Sequence, residues 1–87
     1  MSEELKAQFE AASKAAKNLP ARPSNDDMLE LYALYKQGSV GDCTGDRPGM
    51  LDFVGGAKFD AWSKLAGTSR EDAMASYVKK VESLKGN

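Results

Sequence analysis

Apolar residues recur at steps of three and four over residues 2–19, which is the spacing of one face of an α-helix. The residues on that face are Leu5, Phe9, Ala12, Ala16 and Leu19. Ser2 is placed to cap such a helix, and the acidic side chains of Glu3 and Glu4 lie where the helix dipole favours them. Because Pro20 follows, and proline disfavours helix at the residue before it, the pattern predicts a first helix that ends at Leu19.

A second helical segment begins after these prolines. Ser24 or Asn25 is placed as its N-cap, and Ser24 with Asp27 resembles a capping box in which Asp replaces Glu. The segment is rich in good helix formers and should run to about Gln37. Glycine and proline then recur over residues 38–52, so this stretch is predicted to be a loop of about fifteen residues, a length that is usually functional or disordered.

Two further helices are predicted in the C-terminal half. The third covers about residues 53–65, and its apolar face consists of Phe59, Trp62 and Leu65. Gly67 follows as a left-handed cap. A fourth helix begins at Thr68-Ser69-Arg70-Glu71, a full capping-box pattern, and its apolar face continues through Met74, Tyr77, Val78, Val81 and Leu84. No alternation long enough for a strand is present, so the fold class is predicted to be all-α, a four-helix bundle.

The composition narrows the function further. The chain has 87 residues, enough for one domain over residues 1–87, with 12 basic and 13 acidic side chains and a formal net charge of −1. That balance argues against a nucleic-acid partner, which needs a broad basic face. No apolar run approaches the roughly 18 residues that span a bilayer. The acidic start at Glu3 and Glu4 is unlike a signal peptide, so a cytoplasmic protein is expected.

Two residue types that often carry chemistry are scarce. Cys43 is the only cysteine, so no intrachain disulfide can form, and the absence of histidine excludes a nitrogen–sulfur zinc site. Without histidine the commonest general base is missing, and Ser39 and Cys43 in the loop lack the partner that would activate them as nucleophiles. We therefore expect a binding protein and not an enzyme, with no metal and no cofactor.

The segment from Leu31 to Gln37 is the most informative for binding. On a helix, Tyr32, Tyr35 and Lys36 are three and four residues apart and share one face. Flat aromatic rings beside an ammonium group suit a ligand that joins a planar base to phosphates. Alternatively, both tyrosines are amphipathic core residues and Lys36 extends along the surface, and the helix alone does not decide between these interpretations.

Other residues could contact the same ligand only if the fold brings them near those tyrosines. Three cations could converge there, namely Lys17, Arg22 and Lys58, although each taken alone reads as a solvated surface charge. Core packing and ligand contact are both open for Met28, Leu29 and Tyr77.

Longer motifs extend the pattern along the chain. They are Tyr32-Ala33-Leu34-Tyr35-Lys36-Gln37, Val40-Gly41-Asp42, Arg47-Pro48-Gly49-Met50-Leu51-Asp52-Phe53, Ala57-Lys58-Phe59-Asp60-Ala61-Trp62, Leu65, and Gly67-Thr68-Ser69-Arg70-Glu71-Asp72-Ala73-Met74. In this order and spacing they resemble the acyl-CoA-binding protein family, from Phe9 to Leu84 with little room for an insertion.

The resemblance implies an up-down-down-up bundle that binds medium- to long-chain fatty acyl-CoA one-to-one, as a carrier and buffer that could supply acyl-CoA-using enzymes. A monomer is the simplest expectation, although the sequence does not determine the oligomeric state. Carried over by position, three residues hold the ribose 3′-phosphate region: Tyr32, Lys36 and Lys58. The same comparison puts Tyr35 against the adenine, Lys17 at the head group and Tyr77 at the nucleotide side. It places Met28 and Leu29 along the acyl chain.

The sequence departs from the family pattern near the third helix. Members commonly carry lysines where this chain has Val54 and Gly56, and a tryptophan where it has Phe59. Since each exposed charge-assisted contact contributes on the order of 0.5–1 kcal/mol, the expected result is weaker head-group binding with a smaller salt dependence.

A helical protein-interaction module remains the main alternative. The same apolar groove could accept an amphipathic partner helix, with the tyrosines as an interface hot spot. Clustering of cations with the tyrosines discriminates the two, because a nucleotide site needs it whereas interface cores tend to lack lysine. Thioester hydrolysis through Ser39 or Cys43 is the third hypothesis.

Overall fold

The structure is a computed structural model that describes residues 3–85, and these form an up-down-down-up four-helix bundle. The helices are α1 (Glu3–Ala15), α2 (Asn25–Ser39), α3 (Phe53–Ser63) and α4 (Arg70–Leu84). Over the described residues there is no strand, and no helix is long and apolar enough to cross a membrane. The predicted fold class is confirmed.

The first helix ends differently from the prediction. Its last turn tightens into a 3-10 helix over Ala16–Asn18. The side-chain Nδ2 of Asn18 donates to the Lys14 carbonyl at 3.4 Å. Leu19 is extended, as expected of a residue before proline. The predicted Ser2 cap lies outside the described residues.

The caps of the other helices follow the sequence closely, with one correction. The Ser24 hydroxyl accepts from the Asp27 amide at 3.1 Å, which confirms the predicted cap of α2. At α4 the prediction of Thr68 as the cap is wrong. The Thr68 amide is used by the preceding turn, donating to the Leu65 carbonyl, so Ser69 caps α4 and accepts from the Asp72 amide at 3.0 Å.

The predicted loop from Gly38 also needs correction, because α2 continues through Gly38 to Ser39. Gly38 is buried, and a Cβ there would lie 3.1 Å from Met74 and 3.2 Å from Phe9. Glycine therefore serves a close approach of α1 and α4 to α2 instead of breaking the helix. Gly41, with a φ of +102°, turns the chain into the loop.

The core lies where α4 packs against both α1 and α2, while α3 packs on α2. Its buried residues are Phe9, Ala12, Leu31, Leu34, Ala73, Met74, Tyr77 and Val81. The apolar faces predicted for the first and fourth helices supply most of this core, whereas no apolar face was predicted for the second helix, which supplies Leu31 and Leu34. The face predicted for the third helix, Phe59, Trp62 and Leu65, is only partly buried.

A buried glutamine joins the helices at one end of the bundle. Gln37 is fully buried, and its amide nitrogen donates to Asp42 at 2.7 Å and to the Thr68 carbonyl at 2.8 Å. Its amide oxygen accepts from the Trp62 indole, which also donates to the Gly41 carbonyl at 2.9 Å. This network, the Gln37 junction, ties α2, α3 and the start of α4 to the long loop.

Candidate functional site

A groove of about 940 Å³ receives side chains from all four helices. Seven of the eight predicted ligand-binding residues line it: Lys17, Met28, Leu29, Tyr32, Tyr35, Lys58 and Tyr77. Among the described residues no carboxylate lines this groove. The fold therefore brings together residues that are up to sixty positions apart in sequence.

Aromatic side chains form one part of the groove. Tyr35 stacks on Phe9 with ring centroids 5.4 Å apart, and Tyr77 meets Phe9 edge-on at 5.2 Å. Phe9 thus supports both tyrosines from the core side, while Tyr35 remains 41% exposed. A ring fixed from behind and open in front can stack on a planar base.

Tyr77 belongs to the core and to the groove at once. Only 5% of its surface is exposed, yet it lines the groove beside Tyr35. Burial raises the pKa of the Tyr77 hydroxyl, and the neighbouring Tyr35 adds to the shift. Tyr77 therefore stays protonated at neutral pH and keeps a hydrogen-bond donor at this wall.

Three cations surround the aromatic part of the groove. They are Lys17 at the end of α1, Arg22 in the linker and Lys58 on α3. The Lys58 ammonium lies 5.2 Å from the centroid of the Tyr32 ring, a cation–π contact. Within residues 3–85 none of the three forms an ion pair, so their charge is available to an anionic ligand.

Lys36 is the predicted site residue that the structure does not bring into the groove. Its ammonium lies 5.1 Å from the centroid of the Trp62 ring, on the side of α2 that faces α3. A cation–π contact at a partly exposed site contributes about 0.5–1 kcal/mol, comparable to one exposed charge-assisted contact. Lys36 could exchange one for the other at little cost, and its role in ligand binding stays a prediction.

Apolar side chains also line the groove. They include Met28 and Leu29 of α2 and Ala57 of α3, and such side chains suit a lipid chain. Phe53 and Val54, at the first turn of α3, also line the groove. The sequence interpretation did not assign Phe53 to the site and considered Val54 only as the replacement of a lysine. Nine residues separate Phe53 from Trp62, so the two lie on opposite faces of the helix, and an apolar residue off the predicted apolar face was the available signal.

The two loop residues considered as nucleophiles lie away from the groove. Ser39 and Cys43 do not line it, and the Ser39 hydroxyl donates to the Tyr35 carbonyl at 2.7 Å. Ser13, which does line the groove, donates to the Glu10 carbonyl at 2.7 Å. With no histidine in the sequence, the arrangement suits non-covalent binding of an anionic head joined to an apolar chain.

The amino-acid sequence of this chain is similar to those of known acyl-CoA-binding proteins. A family model described as "Acyl CoA binding protein" matches residues 6–81. An acyl-CoA-binding protein homolog from Manduca sexta is 56% identical over 92% of this chain and 90% of its own. Acyl-CoA-binding protein homolog 1 from Caenorhabditis elegans is 50% identical over 87% of this chain and 88% of its own.

Among solved structures, the chain is similar to the crystal structure of acyl-CoA-binding protein 2 from Oryza sativa. The TM-score is 0.89 at 46% identity, and the match covers 93% of this chain and 88% of the rice chain.

Proposed function

The chain belongs to the acyl-CoA-binding protein family, and from that premise we propose that it binds medium- to long-chain fatty acyl-CoA one-to-one. In this role it is an intracellular carrier and buffer of acyl-CoA. The observation that carries the proposal is that one groove is lined by cations and tyrosine rings and also by apolar side chains. Acyl-CoA likewise joins a charged nucleotide head to an apolar acyl tail.

The contacts of the groove support a definite placement of the ligand head. Tyr35 offers its exposed ring to the adenine, and Tyr77 adds a hydroxyl donor beside it. Lys58 over Tyr32 supplies charge for the ribose 3′-phosphate, and Lys17 for the rest of the head group. Lys36 joins the phosphate after leaving Trp62.

The acyl chain takes the apolar part of the groove, along Met28 and Leu29. Each buried methylene contributes roughly 0.8 kcal/mol, so ten sheltered methylenes contribute about 8 kcal/mol before ordering costs. Exposed ion contacts of about 0.5–1 kcal/mol each are smaller by comparison. Chain length is therefore the main determinant of affinity.

The clustering of Lys17, Arg22 and Lys58 with three tyrosines favours this carrier over the protein-interaction alternative. Binding without catalysis agrees with a family named for binding. We further propose that the protein is a monomer, that it acts in the cytoplasm, and that it passes its ligand to acyl-CoA-using enzymes.

A chain-length series tests it. Affinities for acetyl-, octanoyl-, lauroyl- and palmitoyl-CoA, measured by calorimetry, should rise by at most about fourfold per methylene until the groove is filled. Mass spectrometry of the recovered ligand should show the thioester intact. Equal affinity for acetyl- and palmitoyl-CoA would exclude the apolar groove as the acyl site, and released coenzyme A would reveal an enzyme.

A further inference from the structure

Four large apolar side chains are exposed to solvent where the long loop meets α3. Met50 is 87% exposed and Leu51 89%, and Phe53 and Val54, which begin α3, are exposed as well. We call these four residues the corner patch. A monomeric protein rarely groups large apolar side chains in solvent without a binding role, so the corner patch calls for a ligand that covers it.

The backbone that carries the corner patch is held by several contacts. The Asp52 amide donates to the Gly49 carbonyl at 3.0 Å, and the Asp52 carboxylate accepts from the Gly55 amide at 2.9 Å, which caps α3. Arg47 forms two hydrogen bonds of 3.0 Å with Asp60 and so ties the loop to α3. The exposed side chains therefore lie on a supported turn.

Two cation–π pairs show how α2 and α3, which run parallel in the bundle, lie against each other. The Lys58 ammonium lies over the Tyr32 ring, and one turn further along both helices the Lys36 ammonium lies over the Trp62 ring. The two helices therefore run in register, with their N-terminal ends side by side.

The same register leads from the groove to the corner patch. One turn closer to the N-terminal ends it relates Met28 to Val54, and both residues line the groove. Phe53, the first residue of α3, lines the groove too. Met50 and Leu51 directly precede α3 and do not line the groove. The groove thus reaches the start of α3, and the corner patch continues its apolar surface further.

The ligand of the proposed function can cover this surface. The end of an acyl chain has no polar group, so apolar side chains are all that it requires. Once the head and the first part of the chain are bound, further methylenes add contacts without a new loss of translational freedom. A separate protein lacks this advantage, since a stable interface uses about 20 residues a side and the corner patch has four.

The charges of the corner also suit an apolar chain. From Pro48 to Gly56 the sequence has no lysine or arginine, so an acyl chain on this segment displaces water from no ammonium or guanidinium group of the segment. Val54 and Gly56 are the two positions at which this chain lacks lysines that are common in its family. The extension of the groove is therefore a feature of this chain.

We propose that the corner patch binds the terminal methylenes of very-long-chain acyl-CoA, so that this protein prefers acyl chains longer than palmitoyl. Phe53 and Val54 contact the chain where it leaves the groove, and Met50 and Leu51 contact its end. The inference rests on the proposed function, because the head and the first part of the chain must bind as described for the carrier.

A competition experiment tests the preference. Equimolar palmitoyl-CoA and behenoyl-CoA compete for a limiting amount of protein below micelle-forming concentrations, and mass spectrometry of the bound fraction gives the ratio of their affinities. The test variant carries Met50→Ser and Leu51→Ser, at positions outside the groove and the core. Val40→Ser is the matched control, because Val40 is 58% exposed but lies outside the corner patch.

Wild type and Val40→Ser should bind behenoyl-CoA at least about tenfold more tightly than palmitoyl-CoA, less than full burial of every added methylene would give. In the double variant this ratio should fall at least about threefold. An equal ratio in wild type and double variant, or no preference in the wild type, would overturn the proposal. So would ligand-free self-association that the double variant abolishes, because the corner patch would then bind a second copy.

Methionine methyl groups labelled with carbon-13 locate the end of the chain in the wild-type protein. The Met50 signal, assigned by its absence in the double variant, should differ between the palmitoyl-CoA and behenoyl-CoA complexes. The Met74 signal should be the same in both, because Met74 lies in the core. A Met50 signal that is identical in the two complexes would place the acyl chain elsewhere and contradict the inference.

Calorimetry with palmitoyl-CoA alone separates this inference from the carrier. Tight binding of palmitoyl-CoA without any preference for behenoyl-CoA would contradict the extension and leave the carrier standing. Absence of palmitoyl-CoA binding by the wild type would contradict the carrier and, with it, the extension.

Discussion

Lys36 and Lys58 show how single side chains prepare the site before a ligand arrives. Each ammonium rests on an aromatic ring, Lys58 on Tyr32 and Lys36 on Trp62, at distances of 5.2 and 5.1 Å. Only the first pair lies in the groove. On the proposed function, Lys58 is already in the groove for a ligand phosphate, whereas Lys36 reaches the phosphate only by leaving Trp62, the only tryptophan of the chain.

Replacing Lys36 by Ala should weaken binding of palmitoyl-CoA and free coenzyme A about two- to fivefold, the effect of one charge-assisted contact at an exposed site. Titration followed by Trp62 fluorescence measures both the affinity and the departure of the ammonium, so the fluorescence response should shrink in the variant. Lys79→Ala, at an exposed position of α4, is the control. Wild-type affinity and response in Lys36→Ala would remove Lys36 from the site.

A substitution at Val54 tests the role of charge by adding a cation to the groove instead of removing one. Val54 is exposed and lines the groove, so Val54→Lys adds a cation there without disturbing the core. Free coenzyme A should bind about two- to fivefold more tightly, with a steeper salt dependence in calorimetry. Val40→Lys adds the same charge outside the groove, and an equal gain in that variant would show a general electrostatic effect instead of a local one.

Among the elements, the long loop depends on the Gln37 junction. Replacing Gln37 by Met keeps the volume but removes the donor to Asp42 and to the Thr68 carbonyl. Leaving buried polar groups unpaired should lower the free energy of unfolding by about 2–4 kcal/mol in urea denaturation. Gln8→Met, at an exposed position of α1, should change it by less than about 0.5 kcal/mol. A similar decrease in the free energy of unfolding in both variants would show that the Gln37 junction does not stabilise the fold.

Asp42 gives the same loop a pH dependence. Hydrogen bonds from Gln37 and from the Gly67 amide hold the pKa of Asp42 below its ordinary value of 3.8, against the opposing effect of burial. A carboxyl whose folded-state pKa is lowered stabilises the fold above its unfolded-state pKa, and that stability is lost as the pH falls through the folded-state value.

The variant Asp42→Asn keeps a carbonyl acceptor for both donors but cannot ionise. Its melting temperature should lie below that of the wild type at pH 7, and the difference should disappear at acid pH below both pKa values. Thermal unfolding across this range checks it. A difference that persists unchanged at pH 2 would mean that shape, not charge, is responsible.

Helices were predictable at the level of elements because periodicity and caps are local signals. The Ser24 cap and the apolar faces of α1 and α4 follow from residues within a few positions of one another. Two predictions were wrong, one because distant residues decide and the other because of the turn that precedes α4. Gly38 stays helical because Phe9 and Met74 pack against it, and Ser69 caps α4 because the turn before it uses Thr68.

At the scale of the whole molecule, the groove was only partly predictable. Family resemblance led to seven of its residues, but periodicity could not show that Phe53 and Val54 would leave the core and extend it. Arg22 was one of several cations that could be assigned to the site only if the fold placed them close together. Whether such residues meet depends on how α3 lies across α2, which no local pattern encodes.

The central claim is that one groove recognises the head and the tail of acyl-CoA together. Calorimetric titration with palmitoyl-CoA, free coenzyme A and palmitate in parallel, below micelle-forming concentrations, tests it most directly. Palmitoyl-CoA should bind tightly and one-to-one, and free coenzyme A much less tightly. No heat from any of the three ligands, or equal affinity for palmitoyl-CoA and free coenzyme A, would contradict the claim.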